Sequence, residues 1–291
     1  MIEIIRDGRE RKVKIFLIVE LFRFISYLWF MLIMVMGVVL TIGFAEVDYK
    51  AFLTSFFGSY NVCAYFDFPP STYVLPALYA FFPIMAFIYT AASIFRAWIS
   101  LEEKKMSTCS FTLYVFAFVF FFLSAVIFAT IFAVQPELKK PGTVEIHTLP
   151  FTTLIVGVTL LQFATTWFNC NVSYIDEERP KYMPWGNYAL AIILTISSIV
   201  KITQHINSFG GLQLDNQGEI LTNGWIWDVK NQTTIGSVCQ VNDTIWMLAA
   251  VIAPMLESGY LTWQNLDSHG IIVVIEDNRK AKSDDEKPLL E

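Results

Sequence analysis

Charged side chains inside long apolar runs are the residues of this chain that could carry out chemistry, because a charge is costly to hold in hydrocarbon. The clearest case is Glu257, which lies three residues after Pro254 within the apolar run 244–263. Its carboxylate could relay protons or bind a solute. The alternative, which we favour, is a hydrogen bond to a neighbouring helix or a reach to the membrane interface. Glu257 is therefore the candidate intramembrane polar site.

Other polar groups in the apolar runs fit packing roles better than chemical ones. Glu20 and Arg23 lie three residues apart, so they share a helix face and are expected to pair locally or reach the lipid headgroups. Lys201 and His205, four residues apart, are expected at the interface. A further run is rich in groups that commonly bond within a helix or to a neighbouring one: Thr152, Thr153, Thr159, Gln162, Thr165 and Thr166.

Enzyme signatures are missing from the sequence. It has no phosphate-binding glycine loop, no His-Glu-x-x-His and no nucleophile elbow. Its three histidines, His147, His205 and His269, are too few for a histidine-rich metal site. His147 precedes the fourth apolar run and is expected to be an ordinary loop histidine. We therefore expect neither an enzyme nor a bound cofactor or metal.

The cysteines bear on the loops outside the membrane. Cys63 and Cys239 fall in the first and last lumenal loops of the topology derived below, where a disulfide could join them in an oxidising compartment. The alternative is two free thiols buried under the loops. Cys109 and Cys170 fall at cytosolic helix ends.

Three Asn-x-Ser/Thr sequons provide candidate glycosylation sites. Asn231 and Asn242 both lie in the last lumenal loop, and Asn231 is the better candidate because Asn242 is almost at the start of the sixth helix. Asn171 falls in a cytosolic loop and is expected to stay unmodified.

The C-terminal tail holds the most specific short motif in the chain. Asp285 is followed, after three residues, by Leu289 and Leu290, which fits the acidic dileucine pattern read by clathrin adaptors. Such a signal works on a flexible cytosolic segment, and the charged, proline-containing tail 264–291 is expected to be disordered. The pattern predicts an endosomal or lysosomal destination, and a chance Leu-Leu pair is the alternative.

The composition indicates which elements must position these residues. Of 291 residues, 55% are hydrophobic and only 16% are charged, which is too little polar surface to cover a soluble globule. A bilayer core of about 30 Å needs about 20 apolar helical residues. Six mainly apolar runs approach this length: 24–44, 73–95, 111–134, 149–168, 188–203 and 244–263.

The distribution of positive charge predicts the orientation. With the N-terminus in the cytosol, 15 of the 20 Lys and Arg residues fall on the cytosolic side. Six crossings return the C-terminus to the same side. The first run is too long for a cleaved signal peptide and is expected to remain as an anchor. No basic cluster indicates nucleic-acid binding; the predicted partners are the lipid bilayer and a clathrin adaptor.

These features predict an all-α membrane protein, a six-transmembrane-helix bundle with a cap built from lumenal loops. A basic cytosolic N-terminus covers residues 1–23 and the transmembrane domain covers 24–263. The first lumenal loop, 45–72, is rich in aromatic residues and could form the cap. The last, 204–243, carries glycines that predict turns and a small strand pair lying against it.

Several stretches resemble the damage-regulated autophagy modulator family, part of a superfamily with GPI-anchor-remodelling and FGF-receptor-activating proteins. The similarity lies in the six-helix plan, in Thr108-Cys-Ser-Phe-Thr-Leu-Tyr-Val-Phe116 and in Phe132-Ala-Val-Gln-Pro-Glu137. Pro69-Pro70, His147 and Tyr260-Leu-Thr-Trp-Gln-Asn-Leu-Asp267 add to it. The chain departs from the family pattern in a longer last lumenal loop and in a Glu in the cytosolic half of the last helix.

The resemblance implies a lysosomal or endosomal multi-pass protein that modulates autophagy without catalysis. One alternative is a Golgi or ER protein in GPI-anchor lipid remodelling. Another is a small-solute or lipid transporter that uses Glu257 and the polar fourth helix.

Overall fold

In the computed structural model, the described residues are 2–7, 10–44, 66, 69–133, 143–172, 182–214, 220–222, 241–265 and 271–276. Helices dominate them because a backbone in lipid must satisfy its own hydrogen bonds. The helices are α1 Val19–Phe44, α2 Ser71–Tyr79, α3 Phe81–Glu102, α4 Thr108–Phe128, α5 Thr143–Asn171, α6 Tyr182–Gly211, α7 over residues 241–247 and α8 Ala253–Asn265. A 3₁₀ turn, Ala129–Phe132, extends α4, and a π-helical segment, Leu248–Ile252, joins α7 to α8.

Six segments are long and apolar enough to cross a bilayer, and they are numbered here as the first to the sixth span: Val19–Thr41, Ser71–Glu102, Thr108–Phe132, Leu149–Asn171, Trp185–Thr203 and Val241–Trp263. The predicted all-α bundle of six transmembrane helices is confirmed. The first span begins at Val19 rather than at residue 24, so Glu20 and Arg23 lie inside it.

The second span consists of α2 and α3 with Ala80 between them. Pro83 has no N–H to donate to the carbonyl of Tyr79, which weakens the helix at this point. The N–H of Ala80 still donates to the carbonyl of Pro76 at 3.1 Å, so the two helices continue as one span.

Three strands lie outside the spans: β1 Ile2–Asp7, β2 Glu10–Leu17 and β5 Ile271–Glu276. They form an antiparallel sheet in the order β1-β2-β5, with Leu17 opposite Ile271. The prediction of a disordered tail over 264–291 is wrong for residues 271–276, where a run of Ile and Val favours a strand. This sheet marks one end of the bundle, called the sheet end, where the first span begins and the sixth ends.

A second, smaller strand pair follows the fifth span, at the other end of the bundle, called the loop end. Strands β3 Leu212–Leu214 and β4 Ile220–Thr222 are antiparallel, which confirms the predicted strand pair. Most of the predicted cap, including 45–65, lies outside the described residues. Phe66 is described and buried, and its ring contacts Phe128 and Phe132 at centroid distances of 6.4 and 5.7 Å.

The interior of the bundle combines aromatic packing with close helix approach. The third span packs against the second and the fourth, the fourth also against the fifth, and the first against the sixth and the second. A Cβ added at Gly157 of the fourth span would lie 2.2 Å from Ser124 Oγ and 3.2 Å from Phe121 Cα. Glycine therefore permits the contact between the third and fourth spans, as small residues do in membranes.

Candidate functional site

The strongest polar feature of the bundle starts at the first turn of the first span. Glu20 and Arg23 are both buried, and Arg23 is only 1% exposed. Arg23 Nη1 lies 3.5 Å from Glu20 Oε2, so the predicted local pair forms but is long. The shorter contacts of both residues are with other spans, and neither side chain reaches the surface.

Glu257 of the sixth span is the main partner of Arg23. Arg23 Nη2 lies 2.9 Å from Glu257 Oε2, and Asn187 Nδ2 of the fifth span donates to Glu257 Oε1 at 2.7 Å. The expectation that Glu257 is hydrogen-bonded to a neighbouring helix is confirmed. Neither the pairing with Arg23 nor the contribution of Asn187 was predicted from the sequence.

Arg96 extends these contacts to the second span. Its Nη1 donates to Glu20 Oε1 at 2.9 Å, and its guanidinium carbon lies 4.7 Å from the centre of the Phe168 ring in the fourth span. Arg96 follows directly after the predicted apolar run 73–95, so its position inside the second span was not predicted. Its partner Glu20 is what holds it inside the bundle.

We call Glu20, Arg23, Arg96, Asn187 and Glu257 the charge network. It has two guanidinium groups and two carboxylates, so its formal charges cancel. Desolvating four charges is expensive, and their mutual attraction offsets this cost only while every partner is present. The network therefore ties the first, second, fifth and sixth spans together at the sheet end, and it opposes any rearrangement that separates them.

A second buried ion pair lies at the loop end. Lys201 of the fifth span pairs with Asp243 at the start of the sixth, and both side chains are buried. Lys201 Nζ also lies 5.2 Å from the ring centre of Phe151 and 5.5 Å from that of Trp246. Lys201 was expected at the interface, and it lies two residues before the end of the fifth span. Its side chain is nevertheless buried, because Asp243 and two aromatic rings stabilise its ammonium inside the bundle.

Asn242, next to this pair, is also engaged. Ser197 Oγ donates to Asn242 Oδ1 at 2.9 Å, and the residue is 9% exposed. A glycan needs an exposed, accessible amide, so the structure disfavours Asn242 as a glycosylation site. Asn231 lies outside the described residues. The cysteines of the predicted disulfide, Cys63 and Cys239, and the predicted sorting motif of Asp285, Leu289 and Leu290 also lie outside them. Neither Cys109 nor Cys170 forms a disulfide.

The polar residues of the fourth span fall into two groups. Thr153 donates to the carbonyl of Pro150 at 2.7 Å, and Thr159 pairs with Ser198 of the fifth span at 2.8 Å, which confirms the packing expected of them. Gln162 Oε1 and Thr165 Oγ1 are buried and have no hydrogen-bond partner in the described part of the protein. His147, expected in a loop, is instead buried within α5.

A small apolar cavity lies in the core between the two charged regions. Tyr27 and Tyr89 line it on the side of the charge network, and Trp246 lines it on the side of the Lys201 pair. Leu154 and Val158 of the fourth span also line the cavity. Its size suits about one water molecule, so the two charged regions are separated by a largely packed core.

We expect replacement of Lys201 by Met to destabilise the protein by about 3 kcal/mol or more, because Asp243 would remain buried without its partner. Adding Asp243→Leu should restore much of the loss by removing the unpaired charge. The measurement is thermal unfolding of the purified protein in detergent. An unchanged melting temperature in Lys201→Met would show that the pair does not contribute to stability.

Comparison of the chain with protein-family models, with curated proteins and with solved structures finds no match. Among the described residues, no three His, Cys, Asp or Glu side chains gather as they would around a metal ion.

Proposed function

We propose that the protein is a multi-pass membrane protein of late endosomes or lysosomes that modulates autophagy without catalysis, as the resemblance of its sequence implies. The observation that supports the non-catalytic part of this proposal is the environment of Glu257. Its two oxygens face Arg23 and Asn187 from two other spans, so the carboxylate is occupied in holding the bundle together. Such a protein acts through its folded shape and its partners.

The proposed compartment rests on the tail motif of Asp285, Leu289 and Leu290. Replacing both leucines by Ala should move the protein from lysosomes to the plasma membrane, because a clathrin adaptor needs the two apolar side chains to recognise its cargo. The measurement is colocalisation of the tagged full-length chain with lysosomal, Golgi and plasma-membrane markers. Autophagic flux should fall together with lysosomal residence.

A matched control is Lys287→Ala, which lies inside the motif at a position that the acidic dileucine pattern leaves open. This variant should keep the wild-type distribution. Lysosomal residence that survives the double alanine change would overturn the sorting role. Golgi or ER residence of both the intact chain and the variant would favour GPI-anchor lipid remodelling instead.

A second candidate function is passage of a small polar solute or a lipid through the bundle. The observation that favours it is a pair of buried polar atoms of the fourth span, Gln162 Oε1 and Thr165 Oγ1, that have no hydrogen-bond partner in the described part of the chain. Membrane vesicles that carry the protein should then take up polar solutes, and Thr165→Val, which replaces the hydroxyl by a methyl group, should reduce uptake without changing localisation. Uptake equal to that of vesicles without the protein would remove this candidate.

A further inference from the structure

One face of the second span carries three polar groups above one another. Tyr89, Ser93 and Arg96 are spaced at i, i+4 and i+7, so they lie on the same side of the helix. Tyr89 and Ser93 are 1% and 0% exposed. Tyr114 of the third span, which is also buried, lies beside both Ser93 and Arg96.

These groups have hydrogen-bonding capacity that the protein does not use. The Tyr89 hydroxyl has no hydrogen-bond partner in the described part of the chain, and the Nε and Nη2 atoms of Arg96 make no well-formed bond there. The hydroxyl of Tyr114 faces Ser93 and Arg96, so its contacts are with other members of this group. Buried polar groups are normally paired, and pairing is required most strictly inside a membrane. A cluster of polar atoms from two neighbouring spans, in which the contacts of Tyr114 are with other members of the cluster, therefore indicates a group that binds there.

The geometry of Arg96 identifies the chemistry of that group. Its Nη1 is taken by Glu20 and its flat face lies over Phe168, which leaves the Nε and Nη2 edge. The two N–H bonds of this edge are parallel, and they match the two oxygens of a carboxylate or phosphate. The three hydroxyls can add further donors, so the cluster suits an acceptor rather than a cation.

The accessibility of Arg96 indicates where such a group would enter. Its side chain is 19% exposed as a whole, although the Nε and Nη2 atoms are covered, whereas the side chains of Glu20 and Arg23 are 5% and 1% exposed. Arg96 lies six residues before the end of the second span at Glu102, which is about 9 Å at the rise of an α-helix. This depth is within reach of the lipid headgroups and of solutes at the sheet end.

We propose that Arg96, Tyr89, Ser93 and Tyr114 form an oxyanion site at the sheet end of the bundle. The ligand presents a phosphate or carboxylate group, carried either by a membrane lipid or by a free solute. The site goes beyond the proposed role in autophagy and does not depend on it. In this site Arg96 would bind the ligand in addition to forming its ion pair with Glu20.

The experiment uses the purified full-length protein in phosphatidylcholine nanodiscs. Thermal unfolding is followed with inorganic phosphate added to the buffer and, separately, with phosphatidic acid added to the lipid. At least one probe should raise the melting temperature. A response to phosphatidic acid alone identifies a lipid headgroup, and a response to inorganic phosphate identifies a soluble oxyanion.

Arg96→Lys should weaken the apparent affinity for the probe that raises the melting temperature of the wild type about tenfold. The reason is that lysine keeps the charge but lacks the parallel pair of donors. Tyr114→Phe should weaken it several-fold while keeping the ring contacts with Phe118 and Phe168, so a binding effect can be measured even if Arg96→Lys does not fold. Tyr73→Phe is the matched control, since Tyr73 is 75% exposed, and its response should equal that of the wild type.

Two results would overturn the proposal. The first is a melting temperature of the wild-type protein that neither phosphate nor phosphatidic acid changes. The second is a response of the Tyr114→Phe protein that equals that of the wild type and of Tyr73→Phe.

Discussion

Replacing Arg23 with Met should lower the free energy of unfolding by about 3–5 kcal/mol, the usual cost of removing one partner from a buried ion pair. Methionine fills a similar volume but removes the cation beside Glu257 and one of the two described cations beside Glu20. The measurement is thermal unfolding of the purified protein in detergent. In cells, the same variant should be retained in the ER and degraded.

The matched control for Arg23 is a cation in an exposed ion pair. Lys105 lies 2.9 Å from Glu103, and both side chains are about half exposed. Lys105→Met should therefore change stability by less than about 0.5 kcal/mol. Equal melting temperatures for Arg23→Met and Lys105→Met would contradict the view that the charge network holds the spans together.

Gly157→Ala should destabilise the protein by about 1–3 kcal/mol, the usual cost of forcing an extra methyl group into a packed interface. The new Cβ would lie 2.2 Å from Ser124 Oγ and 3.1 Å from Ser124 Cβ. Either the third and fourth spans must move apart or Ser124 must give up its hydrogen bond to the carbonyl of Phe121. Thermal unfolding of the purified protein measures the effect.

Two further variants test the cause of that loss. Gly186→Ala adds the same methyl group where nothing lies within 4 Å, so it should leave the melting temperature unchanged or slightly raised. Ser124→Gly combined with Gly157→Ala removes the nearest atoms and should restore part of the stability. A loss that Gly186→Ala reproduces would point to a general effect of the methyl group rather than to the contact at Gly157.

Much of the architecture could be predicted because it depends on local sequence. Six apolar runs of sufficient length predict six helices, since the bilayer allows few other structures for such a chain. The strand pair in the last loop followed from glycines that flank short apolar stretches. The strand Ile271–Glu276 was missed because the charge of the tail outweighed its run of Ile and Val.

The candidate site was only partly predictable because its residues come from spans that are distant in the sequence. Glu257 stood out by itself as a charge in an apolar run. Its partners could not be inferred, since nothing in one sequence indicates that the first, fifth and sixth spans meet at one end. Lys201 was assigned to the interface for the same reason: Asp243 is its partner only in the folded bundle.

The Arg23–Glu257 and Lys201–Asp243 pairs together suggest how the sequence specifies one arrangement of its spans. Apolar helices in lipid gain little from choosing one apolar neighbour over another, because lipid tails are as apolar as leucine. Arg23 with Glu257 fixes the first span against the sixth at the sheet end, and Lys201 with Asp243 fixes the fifth against the sixth at the loop end. An alternative arrangement would leave these charges unpaired.

A double-mutant cycle between Arg23 and Glu257 tests this role of the charge network most directly. Arg23→Met, Glu257→Leu and the combined variant are compared with the wild type by thermal unfolding in detergent. The structure predicts that each single change is strongly destabilising. The combined variant should lose less free energy of unfolding than the sum of the two single losses, by more than about 1 kcal/mol, as expected for residues in contact. Additive losses would mean that Arg23 and Glu257 do not stabilise each other, and they would contradict the arrangement of spans described here.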